Sequence, residues 1–278
     1  MTRPVGDHGG IRRVTEFVLE EVPALVHPEW VDRFPWLVQG TTTRGRGAAP
    51  FDLGLFSSGS SEPVVRSNWQ NLVRRTGCYA AWHQRQVHGA DVFLHSSRHG
   101  DSIGPAEPPI LSEPCDGQVI DEAGVLVTVA TADCVPVFLV DPVTETVGAV
   151  HAGWRGAAAG VLETGLDGFV SRFDSAIADL HMHLGPAICD ACYEVGPEVF
   201  KALGQMVPDA SRPIDLRGVL AARATKSGVP KEQITISTHC TKCSASNLFS
   251  HRSGDACRQV GYIAKRMPRG SRHPDDVT

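Results

Sequence analysis

The chain has 278 residues, 42% hydrophobic and 21% charged, which is enough apolar material for a core of ordinary size and excludes disorder as the default. A net charge of −5 leaves no basic excess to hold a nucleic-acid backbone, so no nucleic acid is expected as a partner. No apolar run reaches the roughly 20 residues that cross a bilayer, and the polar start Met1–Gly10 lacks a signal core, so a soluble, cytoplasmic protein without a membrane partner is expected.

In chain order, residues 1 to about 20 read as a ragged lead-in. Residues 21–267 read as one catalytic domain, and Pro268–Thr278 as a mobile tail. Gly45–Pro50, Phe56–Pro63 and Ser102–Pro114 are rich in Gly, Ser or Pro and read as loops. Val125–Ala130 and Val135–Val140 are apolar, β-branched runs that read as strands on either side of the turn-like Thr131–Cys134. Asp141–Pro142 stops the second run, and Thr146–Val150 is a third strand that finishes at His151. Ala157–Phe173 reads as one helix with Val161, Leu162, Leu166, Phe169 and Val170 on a broad apolar face. Leu180–Leu184 is a strand, Pro197–Leu203 and Leu216–Lys226 are helices, and Ile234–Thr238 is a late strand. Hairpin-like strands mixed with separate helices predict an α+β fold rather than a doubly wound sheet.

The chemistry concentrates in three short blocks. His151 opens His151-Ala152-Gly153-Trp154-Arg155-Gly156, where two glycines let the backbone turn sharply and approach a ligand. The amides of the helix that follows, with the planar fork of Arg155, suit phosphate or another anion. The alternative is a tight strand-to-helix turn with a packed Trp and a surface Arg. In Thr131-Ala132-Asp133-Cys134-Val135-Pro136, a lone buried Cys is ordinarily a small apolar residue. Cys134, however, starts one predicted strand and His151 ends the next. Antiparallel pairing would bring thiolate and imidazole together as zinc ligands. His88 in Gln86-Val87-His88-Gly89 would make a set of two His and one Cys, leaving a fourth, open position as catalytic sites do.

Eight cysteines without a secretion signal read as reduced thiols or metal ligands. Cys189-Asp190-Ala191-Cys192 and Cys240-Thr241-Lys242-Cys243 form two C-x-x-C pairs. The 47 residues between them far exceed the ~15–20 of a compact zinc ribbon. Unpaired core or near-surface thiols are therefore expected, and a second, structural zinc requires the fold to join the pairs.

Gln86–Gly89, Thr131–Pro136 and His151–Gly156 resemble the three signature blocks of the laccase-domain family, also called multicopper polyphenol oxidase-like. Its members are described as peptidoglycan editing factors or zinc-dependent purine nucleoside phosphorylases. Gly185-Pro186-Ala187-Ile188 leading to Tyr193-Glu194-Val195-Gly196 is similar to the family's Gly-Pro block. Cys240–Cys243, with Leu248–Arg252 and Arg258-Gln259, is similar to its C-terminal block. The resemblance runs from about Val38 to Ala264. Thr42-Thr43-Arg44 matches the N-terminal block, but Phe51-Asp52-Leu53-Gly54 drifts from it, and Cys257 stands where the family usually has Gly.

The resemblance implies a single layered α/β sandwich domain with mixed sheets, akin to the cytotoxic-necrotising-factor deamidases. It implies His88, Cys134 and His151 as ligands of Zn2+, with copper as the alternative. The implied activity is phosphorolysis of adenosine, inosine, guanosine and methylthioadenosine, together with adenosine deamination, so the expected partners are a nucleoside and phosphate. Arg155 is the expected catalytic arginine. Arg44, Gly153 and Arg155 are the expected substrate contacts, and Asp133 is expected to cap a turn. One alternative is a cysteine amidase or hydrolase acting on peptidoglycan precursors, with Cys134 as nucleophile and His151 as base. Copper-dependent polyphenol oxidation ranks below both, since His181-Met182-His183 is an isolated His-x-His. The sequence leaves the oligomeric state open.

Overall fold

The computed structural model describes residues 10–57, 59–97, 108–244 and 247–268. Most of the expected tail, part of the lead-in and part of the Ser102–Pro114 loop lie outside these residues. The first half runs β1 (Arg12–Val14), β2 (Phe17–Leu19), β3 (Ala24–Val26), α1 (Pro28–Arg33), β4 (Leu37–Thr42), α2 (Glu62–Thr76), β5 (Ala80–Gln84), β6 (Val92–His95), β7 (Ile110–Ser112) and β8 (Gly117–Ile120). The middle is β9 (Val125–Thr131), β10 (Val135–Asp141), β11 (Thr146–Ala152), α3 (Trp154–Ala159) and α4 (Val161–Phe173). The remainder is β12 (His181–Leu184), β13 (Glu194–Val195), α5 (Pro197–Ala202), β14 (Arg212–Pro213), α6 (Leu216–Lys226), β15 (Ile234–Ser237) and β16 (Gln259–Lys265).

The fold is α+β, as expected. Two mixed sheets of seven strands carry it, in the orders β1-β15-β12-β10-β11-β8-β6 and β2-β3-β4-β16-β9-β5-β7. The central strands are buried on both faces, which is why they read as continuous apolar runs rather than alternating ones. Along β10, Val135, Val137 and Leu139 pack outward beneath Leu162, Leu166 and Phe169 of α4. Phe138 and Val140 point inward and meet Val125, Val127 and Val129 of β9 and Ile263 of β16. Leu126 and Tyr262, on the far side of the second sheet, pack under Trp69 and Leu72 of α2. The layers are thus helix, sheet, sheet, helix. Each fully buried large side chain contributes about 1.5–3 kcal/mol relative to exposure.

Several expectations need correction. Ala157–Phe173 is not one helix. Gly160, at φ 94°, ends α3 and starts α4 in the left-handed region that glycine enters without steric cost. Val170, placed on the apolar face, is 47% exposed, and Phe173 takes its place in the core. Val125–Ala130 and Val135–Val140 are strands as expected, and they lie in different sheets, since the chain leaves one sheet and enters the other across Ala132–Cys134. The Ser102–Pro114 loop contains β7, which pairs parallel with β5. No element was expected between Phe56–Pro63 and Val125, yet α2 and four strands occupy that interval.

The expected lead-in also holds structure. β1 pairs parallel with β15 and β2 pairs antiparallel with β3, so residues 12–19 belong to both sheets. Between them lies buried Glu16. Its carboxylate accepts from His183 Nε2 at 3.0 Å and from Ser237 Oγ at 2.9 Å. Burial pushes its pKa up, but the hydrogen bond and charge of His183 outweigh this and hold it below the ordinary 4.5. Glu16→Ala strands buried His183 and is expected to cost about 3–5 kcal/mol, read from the urea midpoint. In the unsubstituted protein the carboxylate's contribution is complete above the unfolded-state value and is lost as pH falls through the lower folded-state value. The midpoint difference between wild type and Glu16→Ala should therefore shrink in acid.

Candidate metal centre

The β10–β11 pair builds the centre. Its antiparallel register sets Val135 opposite Ala152 and Pro136 opposite His151, which brings Cys134 and His151 to the same end of the sheet. His88 arrives from the segment between β5 and β6. The donor atoms of His88, Cys134 and His151 all lie within 4.8 Å of one another. The two imidazoles meet edge to face at 4.8 Å.

Backbone anchoring explains how an exposed loop holds His88 there. Gln86 mimics a neighbouring strand, donating from Nε2 to Ala130 O at 2.8 Å and accepting at Oε1 from Ala130 N–H at 2.7 Å. The amides of Val87, His88 and Gly89 donate to the Asp116 carboxylate at 3.1, 3.0 and 2.7 Å. His88 itself sits at φ 59°, a conformation uncommon for a residue with a Cβ and held here by those bonds. Asp116 also accepts from His151 Nδ1 at 2.8 Å, which leaves Nε2 for a metal. One wholly buried carboxylate therefore orients two of the three candidate ligands. No motif in the sequence marks Asp116.

Asp133 fixes the Cys134 loop. Its Oδ1 accepts from Thr241 Oγ1 at 2.5 Å, its Oδ2 from Arg252 N–H at 2.7 Å, and its carbonyl from Ile188 N–H at 3.0 Å. These contacts make Asp133 an anchor of the turn, at φ 97°. Burial pushes the Cys134 thiol up, but the charges and hydrogen bonds of His151 and His88 win and bring it to about 6. Burial pushes His151 down, while Cys134 and Asp116 together lift it to about 9. Two imidazoles and a ready thiolate in one cluster are a donor set that fits zinc or copper.

Gly153 passes close against this cluster. A Cβ there would sit 3.0 Å from Cys134 Sγ and 3.0 Å from His88 Cδ2. Gly153→Ala is expected to displace both donors and weaken metal affinity by about tenfold or more while the fold survives. A chelator competition beside a thermal melt checks this.

The cluster opens on a cleft of about 930 Å³, near the upper end of the roughly 300–1,000 Å³ of small-molecule sites. Phe56, His83, Gln84, Thr131, His251 and Arg258 line it with the three donors. Phe56 is 56% exposed at the mouth, its ring nearly parallel to His83 at 6.3 Å. Burial lowers His83 to about 3, so it is neutral. Gln84 and Thr131 stand in the cleft wall, and their Nε2 and Oγ1 are buried there without a hydrogen-bond partner among the described residues.

The two expected arginines lie elsewhere. Arg44 pairs with Asp255, donates to Leu248 O at 3.0 Å and stacks on Phe249, so it ties the C-terminal segment to the scaffold and does not line this cleft. Arg155 is exposed and lies over the Trp154 ring at 4.4 Å, also outside the lining. Its helix, α3, has six residues with Gly153 at the N-cap. The arginine that lines the cleft is Arg258, whose Nη1 donates to three carbonyls of its own loop, Asp255, Ala256 and Cys257.

The four cysteines of the C-x-x-C pairs are free thiols, as expected, and the fold meets the condition set for a second site by joining the pairs. Cys189, Cys192, Cys240 and Cys243 converge with their sulfurs within 4.8 Å of one another. These two clusters are the only groups of three or more potential metal ligands among the described residues. No helix among those residues is long and apolar enough to cross a membrane.

A family model described as "Multi-copper polyphenol oxidoreductase laccase" matches residues 38–266. A purine nucleoside phosphorylase of Geobacillus stearothermophilus is 31% identical over 256 residues, 84% of this chain and 92% of that protein. An adenosine deaminase from an unknown prokaryotic organism is 32% identical over 179 residues, 60% of this chain and 68% of that one. The crystal structure of the hypothetical protein YfiH of Bacillus licheniformis superposes with a TM-score of 0.76 at 26% identity, covering 88% of this chain and 97% of that one.

Proposed function

Because the chain belongs to the family described as multi-copper polyphenol oxidoreductase laccase, we propose that it is a metal-dependent purine nucleoside phosphorylase with a deaminating side activity on adenosine. Its substrates are adenosine, inosine, guanosine and methylthioadenosine, with phosphate as co-substrate. The observation that carries this reading is a three-donor cluster facing a cleft large enough for a nucleoside and an anion. His88, Cys134 and His151 hold the metal, zinc before copper, which when bound supplies Lewis-acid stabilisation of negative charge. Phe56 gives the base an aromatic face at the mouth. Arg258 and His251 approach the phosphate, whose oxygen attacks C1′ as the C1′–N9 bond breaks.

The donor inventory favours nucleoside chemistry over polyphenol oxidation. His181 and His183 are buried in β12, where His181 packs on Phe34 and His183 bonds Thr235 and Glu16. Neither belongs to a ligand cluster among the described residues. A second reading has one observation behind it: Cys134 near 6, His151 raised and Asp116 behind His151 is the arrangement of a cysteine nucleophile with an oriented base. A coordinated thiolate is not free to attack, so the two readings respond oppositely to metal.

The discriminating experiment incubates metal-loaded and metal-stripped protein with each nucleoside, with and without phosphate, and resolves the products by chromatography. Free base formed only with phosphate, and inosine formed from adenosine without it, both lost on stripping, are expected. No product from any nucleoside at full metal loading would sink the reading. Hydrolysis of a cell-wall peptide that increases on stripping would move the assignment to the cysteine hydrolase.

A further inference from the structure

We propose that Cys189, Cys192, Cys240 and Cys243 hold a structural zinc ion that clamps the loop carrying Cys134. Strand pairing explains why their distance in sequence does not matter. β12 and β15 are parallel neighbours, with Met182 opposite Ile234 and Leu184 opposite Ile236. Each strand runs on beyond its C-terminal end into one C-x-x-C arm, and the arms stay in register. Ala187 and Cys240 form a parallel bridge, and Thr241 N–H donates to Ala187 O at 3.2 Å.

The sulfur geometry is that of a metal site. Zinc–sulfur bonds of about 2.3 Å arranged tetrahedrally put sulfurs about 3.8 Å apart. Cys189 Sγ and Cys243 Sγ are 3.7 Å apart, whereas a disulfide needs about 2.05 Å. Three backbone amides converge on Cys240 Sγ, from Cys189 at 3.3 Å, Lys242 at 3.4 Å and Cys243 at 3.5 Å. Such a cradle suits an anionic, metal-bound sulfur. With four protein sulfurs the site is closed, which marks it as structural, and an all-thiolate tetrahedron selects zinc over hard cations.

The site also has something to hold. Ile188, beside the first arm, donates its amide to Asp133 O, and Thr241, within the second, donates its hydroxyl to Asp133 Oδ1. Both arms thus grip the residue preceding Cys134. Zinc at the four sulfurs keeps the arms together and so fixes where the Cys134 thiolate stands. This inference does not depend on which substrate the cleft takes.

The test uses the full chain, purified under reducing conditions, as wild type, His88→Ala and a Cys192→Ser/Cys243→Ser double variant. Elemental analysis should find two zinc per chain in the wild type and one in each variant. Zinc-edge X-ray absorption of His88→Ala should show a shell of four sulfurs at about 2.3 Å. That measurement stands even if the double variant fails to fold. Zinc-free His88→Ala, nitrogen or oxygen scatterers in its shell, or a mass showing the four cysteines joined as disulfides would each overturn the proposal.

Discussion

His151→Ala is expected to lower nucleoside turnover by about 10³-fold, and His88→Ala by a comparable factor. A metal contributes several kcal/mol to charge stabilisation, and each ~1.4 kcal/mol is tenfold in rate. On the proposed reading Cys134, His88 and His151 share one coordination sphere, so removing any of them should cost about as much as removing all. The single variants differ in a second readout. His151 is buried on Asp116, so His151→Ala opens a cavity and removes one of the four hydrogen bonds to a buried carboxylate, which destabilises the fold as well. His88 is exposed, and the Cys134 thiol that it contacts keeps His151 when His88 is removed. A large loss of turnover is therefore expected for His88→Ala, with a smaller drop in melting midpoint than for His151→Ala, since the lost metal no longer stabilises the folded chain, measured as kcat beside a thermal scan. Turnover near wild type in either variant would contradict the ligand assignment.

Asp116→Asn is the second large effect, without touching the metal. Burial raises the Asp116 pKa, but the His151 hydrogen bond and the amides of Gly89 and Val87 outweigh it and keep the carboxylate ionised. Both its oxygens accept: Oδ1 from His151 Nδ1 and His88 N–H, Oδ2 from Val87 and Gly89 N–H. An amide replaces one acceptor with a donor that must face an N–H. The His88 loop or the His151 ring then loses its anchor. Metal affinity should fall about 10–100-fold, the usual cost of losing a partner behind a ligand. Turnover should return at saturating metal, since all three donors remain. A chelator titration combined with kcat at high metal measures both. Unchanged affinity would mean that Asp116 serves only the loop backbone.

Much of this centre is legible in the sequence for a simple reason. β9, β10 and β11 are buried on both faces and stand out as unbroken apolar runs, and Cys134 and His151 sit at their ends. Asp116 is not legible, because a carboxylate in Cys115-Asp116-Gly117 declares its role only once β8 pairs with β11. The four-cysteine cluster depends on the parallel pairing of β12 with β15, a contact between strands some fifty residues apart. Arg44 belongs to a scaffold because Asp255, 211 residues away, folds back onto it. The edge strands β1, β2 and β7 are three residues long, too short for periodicity to show. α2 did carry signals: Pro63 in its first turn, Gly77 at its end at φ 72°, and Val65, Trp69, Leu72 and Val73 at helical spacing among charged and amide residues.

The most direct test of the central claim follows adenosine and phosphate with wild-type protein and His88→Ala, zinc bound per chain being measured in both. Adenine and ribose 1-phosphate appearing together from the wild type, with the variant about 10³-fold slower after losing the cleft metal, is the predicted result. Equal rates in the two proteins, or a fully metal-loaded wild type that leaves adenosine intact, would contradict it.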